Sequence, residues 1–155
     1  MEILLTKKLD KTLIIGIGNN TRQDDGLGWC FLDALEKEGF NIDNLLYKYQ
    51  LMVEDAETIS YYDTVIFVDA CKENLKNGFS FETLQLSLKL EFTTHSIPPS
   101  QLLGLCNNVY IKKPKAYVLK IEGFEWDYQI NLSEKANQNL ENALAKIKTL
   151  TSKSS

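Results

Sequence analysis

Apolar residues cluster along the chain in two patterns. Short β-branched runs at 12–17 (TLIIGI), 64–68 (TVIFV) and 116–121 (AYVLKI) read as buried strands. Stretch 45–51 (LLYKYQL) alternates in part and reads as a further strand. The alternation within 79–90 predicts a strand and part of another. Elsewhere the spacing is helical. Leu27, Cys30, Phe31, Ala34 and Leu35 recur at i, i+3, i+4, i+7 and i+8, so a helix is predicted over 26–38, ended by Gly39. Asp24 and Asp25 stand where an N-cap or first-turn acid belongs. A short helix is predicted over 53–60. Another starts at Pro98 and Pro99 and reaches about Cys106, with Ser96 as its cap. Ala136, Leu140, Ala143, Leu144 and Ile147 predict a last helix over 133–150, with Ser133 as N-cap.

This alternation is the pattern of an α/β fold: a doubly wound three-layer sandwich with a mostly parallel central sheet. In such sheets ligands sit outside the carboxyl ends of the strands, where the strand order reverses. No internal repeat is present. Residues 1–150 are expected to form a single domain, with 151–155 as a frayed polar tail.

Composition narrows the function. The 155 residues carry a net charge of −4, and of the 17 basic residues only Arg22 is an arginine, which disfavours a general nucleic-acid binder. No apolar run is long enough for a membrane span. The first residues, MEILLTKKLDKT, lack a leader's apolar core and cleavage site, so a cytoplasmic location is expected. Cys30, Cys71 and Cys106 are odd in number and widely spaced, against a disulfide framework and against structural zinc. They read as reduced, mostly buried thiols.

The first strand ends in Gly16-Ile17-Gly18-Asn19-Asn20, which invites a dinucleotide reading. However, Thr21 stands where GxGxxG needs its third glycine, and the two acids before the helix would repel a pyrophosphate. Asp69 follows the apolar run 64–68 at the same expected edge of the sheet as Asp25. His95, the one histidine, follows the strand-like segment 86–92 and precedes a helix. Two carboxylates and an imidazole form a mixed O/N set suited to a borderline divalent ion such as zinc or nickel, with a position left for water or substrate. Cys71 reads as packing. Trp29, Phe31 and Tyr117 read as core residues. Glu122, Glu125, Trp126, Asp127 and Tyr128 read as a solvated loop.

Four segments, in order, resemble the nickel–iron hydrogenase maturation endopeptidases. They are IIGIGNNTRQDDGLGWCFLDALE, QLMVEDAETISYYDTVIFVDA, TTHSIPPSQLLGL and KIEGFEWDYQINLSEKANQNLENAL. The resemblance implies the sandwich just derived (phosphorylase/hydrolase-like). It also implies removal of a carboxyl-terminal extension from a hydrogenase large-subunit precursor after nickel insertion. By the same resemblance Asp25, Asp69 and His95 are the nickel-contacting and catalytic residues, and Asp24 is an N-cap or supporting neighbour. Nickel would come with the precursor, another divalent ion could stand in for it in crystals, and the resting protein would be a monomer. Two features depart from the family pattern. Some members have Glu at the place of Asp25. Well-studied branches have Gly-Gly-Thr where this chain reads Gln50-Leu51-Met52.

No GxSxG elbow or HExxH helix is present, so a metal-dependent or aspartyl-type endopeptidase is expected rather than a serine or cysteine one. The rival from another class is a non-hydrolytic nickel-binding assembly chaperone using the same three ligands.

Overall fold

The computed structural model describes residues 11–89 and 96–152. Its elements are β1 (Thr12–Ile17), α1 (Leu27–Lys37), β2 (Leu45–Lys48), α2 (Asp55–Ser60), β3 (Thr64–Cys71), β4 (Phe79–Thr83), α3 (Pro99–Tyr110), β5 (Lys115–Glu122) and α4 (Glu134–Ser152). The five strands form one sheet in the order β2-β1-β3-β5-β4. β1 pairs in parallel with β2 and β3, and β3 with β5; β4 is the antiparallel edge. The doubly wound, mostly parallel sandwich is therefore the observed fold. From β1 the chain first winds to β2 on one side and then returns past β1 to β3. The reversal of strand order thus falls between β1 and β3.

Strand alternation divides the core into two layers. Ile14, Ile66, Val68, Leu119 and Ile121 pack under α1 and α4, against Phe31, Leu35, Ala136 and Leu140. Leu13, Ile15, Val65 and Phe67 pack on the other face, against Ala56 and Ile59 of α2 and Leu102, Leu103 and Cys106 of α3. At ~25 cal/mol per Å2 of apolar surface, burial on both faces is what holds the sheet. Among the described residues no helix is long and apolar enough to cross a membrane.

Boundaries moved where tertiary partners took over the backbone. β2 stops at Lys48 instead of 51, and the Leu51 carbonyl accepts from the amide of Ile97 at 3.2 Å instead of extending the ladder. β3 continues to Cys71, three residues beyond the apolar run, because β5 pairs with it from Thr64↔Lys115 to Cys71↔Glu122. Asp69 is consequently inside a strand rather than after one. No second strand follows β4 in 84–89; the amides of Leu84 and Ser87 bond instead to the carbonyls of Ala116 and Ser100. Ser96 does not cap α3, whose N-cap is Pro98 with no side-chain bond. That helix runs on to Tyr110, where Ile111 takes the left-handed conformation at φ 54°. Ser133 does cap α4, its hydroxyl accepting from the Ala136 amide at 3.3 Å. α4 extends into the expected tail as far as Ser152. The thiols are all free, but only Cys106 is buried; Cys30 and Cys71 are half-buried.

Candidate active site

The turn between β1 and α1 is shaped by close backbone approaches. Gly18 has φ +143° and donates to the Lys48 carbonyl at 2.9 Å; a Cβ there would meet the Asp25 carbonyl oxygen at 2.0 Å. Asn19 donates to that same oxygen at 3.1 Å, and the Asp25 amide donates to the Arg22 carbonyl at 3.0 Å. One turn of 3-10 helix, Gln23–Gly26, then leads into α1. Gly28 sits against the ends of two strands, its missing Cβ 2.6 Å from the Val68 carbonyl and 2.8 Å from that of Ile17. Acid-acid-Gly-x-Gly therefore has a steric reason. The glycine lets the helix start press onto β1 and β3, which brings Asp25 to the rim beside Asp69.

Asp69 occupies a step in the sheet. β1 and β3 stay in register to Gly16↔Val68, while β3 and β5 continue upward. Asp69 thus follows the last residue that β1 covers. Its parity places it on the α2/α3 face with Val65 and Phe67. Burial pushes its carboxyl up to about 7; the Ala70 amide opposes that and the negative charge of Asp25 adds to it. Burial also raises Asp25, against the pull of the Arg22 guanidinium and the Asn19 amide. The two expected acids are thus electrostatic neighbours at the switch point. Lys120, the cross-strand neighbour of Asp69, is turned toward Glu73 at 3.1 Å.

Asp24 does something different from its neighbour and from the expected α1 cap. It is fully buried, and α1 is capped by Gly26 without a side-chain bond. Oδ2 of Asp24 accepts from the amides of Phe124 (2.7 Å) and Glu125 (2.9 Å) and from the Ser133 hydroxyl (2.7 Å); Oδ1 accepts from the Ser133 amide (2.8 Å). Burial raises this carboxyl, but the amides of Glu125, Phe124 and Ser133 with the Ser133 hydroxyl outweigh it and hold it below the ordinary carboxylate range. Asp24 is thereby committed to the 123–133 loop and the start of α4, and Asp25 is the acid of the pair left at the rim.

The 123–133 loop is solvent-exposed at Phe124, Glu125, Asp127 and Tyr128, as expected, and it is also tied to the turn before α1. Gln23 donates through its amide to Gln129 and accepts from the Asp127 amide. Nη2 of Arg22 donates to the Trp126 carbonyl at 3.3 Å. Alternate aromatics of the loop each carry a cation: Arg22 over Tyr128, Lys72 over Trp126 and Lys135 over Phe124, at 5.2, 5.3 and 5.6 Å. Across the site, Trp29 is half-buried instead of in the core, while Phe31 and Tyr117 are buried as expected. The Trp29 indole donates to the Lys48 carbonyl at 3.0 Å and packs on Tyr47 and Tyr49. None of these ties has a local sequence signal, since the partners lie up to 109 positions apart.

His95 lies outside the described residues. The chain is described again from Ser96, and Ile97 packs with Phe67 and Leu51 on the face that bears Asp69. Among the described residues no group of three or more His, Cys, Asp and Glu side chains is arranged to hold a metal. Asp25 and Asp69 are the two carboxylates that the turn and the sheet step bring to one rim.

No family model matches the chain, and no curated protein does. Solved structures do. A NiFe hydrogenase maturation protease, HycI, from Thermococcus kodakarensis superposes with a TM-score of 0.67 at 22% identity over 92% of each chain. The hydrogenase maturating endopeptidase HybD from E. coli gives 0.63 at 20% identity over 93% of each. A hydrogenase 2 maturation peptidase from a Thaumarchaeota archaeon gives 0.63 at 17%, over 90% of this chain and 96% of that one. The sheet that carries Asp25 and Asp69 to one rim thus has the fold of the hydrogenase maturation proteases.

Proposed function

We propose that this chain is an endopeptidase that removes the C-terminal extension of a nickel-loaded hydrogenase large-subunit precursor. The observation that carries the reading is the meeting of Asp25 and Asp69 at the strand-order reversal, on a fold shared with hydrogenase maturation proteases. His95 completes the set in this reading.

Nickel is part of the substrate here, held by the precursor and recognised by Asp25, Asp69 and His95. A divalent ion at a scissile amide polarises its carbonyl. The chain's own residues supply the rest. A carboxyl near neutrality, as Asp69 is, can take a proton from an attacking water at working pH. The partner is met transiently, and the resting protein is a monomer in the cytoplasm.

The deciding experiment incubates the protein with nickel-loaded and nickel-free precursor and weighs the products. A loss of mass from the loaded form alone is the expected result. Equal cleavage of both forms rejects nickel-gated recognition, and binding without any loss of mass favours the assembly chaperone.

A further inference from the structure

Amide hydrolysis needs a donor for the oxyanion, and Asp25 and Asp69 cannot supply one when ionised. The structure places one candidate beside Asp25. Arg22, the only arginine of the chain, opens the tight turn that ends at Asp25. Its backbone amide donates to Asn19 at 3.1 Å, its Nη2 to the Trp126 carbonyl, and its guanidinium lies on the Tyr128 ring. The group is therefore held in place without being used up. A guanidinium has five N–H donors in a rigid fork. Among the described residues its single hydrogen bond is the one to Trp126, and Nε is buried with no partner at all. An unmet buried donor is costly, and the fold keeps one only where surrounding contacts fix it. The positive charge is felt at Asp25, yet no ion pair joins the two among the described residues. A cation fixed beside Asp25, with the N–H groups of Nη1 left over among the described residues, is what a developing oxyanion requires.

We infer that Arg22 is a catalytic residue that stabilises the oxyanion of the scissile carbonyl. The inference rests on the endopeptidase reading above. In the step, water oxygen bonds to the carbonyl carbon as a carboxylate of the site takes its proton. The carbonyl π pair moves onto oxygen and meets the Arg22 N–H groups. On collapse the C=O re-forms, the C–N bond breaks, and the leaving amine takes the proton from the carboxylic acid.

The test measures cleavage of nickel-loaded precursor by wild type, Arg22→Ala and Arg22→Lys, with thermal melts of each. In Arg22→Ala, kcat should fall ~100-fold or more with KM within ~3-fold. Added methylguanidinium should restore part of the rate, and Arg22→Lys should fall between. A loss that follows the melting temperature and resists methylguanidinium assigns Arg22 to holding the loop and overturns the inference. Should Arg22→Ala fail to fold, the same comparison in Arg22→Lys decides, and an unchanged kcat there overturns it. Wild type that cleaves, with Arg22→Ala as fast, ends this inference alone. Wild type that leaves the precursor whole ends the endopeptidase reading and this inference with it.

Discussion

Gly28 touches the carbonyl oxygen of Val68, the residue before Asp69, with room for hydrogen only: a Cβ would stand 2.6 Å away. The start of α1 and the end of β3 are locked together by this approach, and with them Asp25 and Asp69. Gly28→Ala should force backbone apart at both Val68 and Ile17, at ~2 kcal/mol of stability. A denaturant melt gives the cost. The pairing of the acids is read separately, as a fall in the raised titration midpoint of Asp69 by carboxyl NMR.

Asp24 is a buried anion satisfied by four donors. Asp24→Asn replaces one acceptor with an NH2 that faces N–H and O–H groups. The variant should lose ~3 kcal/mol, in the range for a broken buried charge network. Its folded-state acidity is stronger than that of a free carboxyl. Its stabilisation is therefore present above the unfolded value and fades as pH falls through the folded one. Urea melts of both proteins at pH 7 and pH 3 should converge at the lower pH.

The sign is opposite for Asp69. Burial pushes its carboxyl up to about 7 in the fold, against 3.8 for an unburied aspartate, so the native state holds the proton more tightly. Stability should decline as pH rises from about 4 to about 7, by on the order of 4 kcal/mol. Asp69→Asn, which has no proton to lose, should flatten that slope and be the more stable protein at pH 8. A wild-type slope equal to that of the variant would refute the assignment.

His95 gives the metal reading its own signal, since no other histidine exists to confuse the spectrum. Zinc titrated into the protein should shift the imidazole resonances, and should fail to do so in Asp25→Ala and in Asp69→Asn. A shift that survives both substitutions would place the imidazole in a different site.

Much of the fold was legible because strands and helices here carry their own periodicity. β1 lies where its β-branched run predicted, and α1 within a residue at either end. The boundaries that moved did so under partners distant in sequence: β5 drew β3 out to Cys71, and Ile97 took the Leu51 carbonyl from β2. The placement of Asp25 and Asp69 at one edge of the sheet was readable from the apolar runs that precede them. Asp24 was not, because two adjacent aspartates look alike until their surroundings are known. The role of the 123–133 loop was equally invisible: its acids and aromatics spell a solvated surface, and its attachment to Arg22, Gln23 and Asp24 lies about a hundred positions away.

The division of labour between Asp24 and Asp25 makes spacing, rather than chemistry, the fragile property of the first loop. Thr21 is exposed and among the described residues its hydroxyl bonds only the Asn19 side chain, so serine could take its place. Deleting it would slide the neighbouring carboxylates by one place. The anchoring acid would then swing toward solvent, and its twin would be drawn under the loop. A one-residue gap in this stretch should therefore be more harmful than several substitutions together.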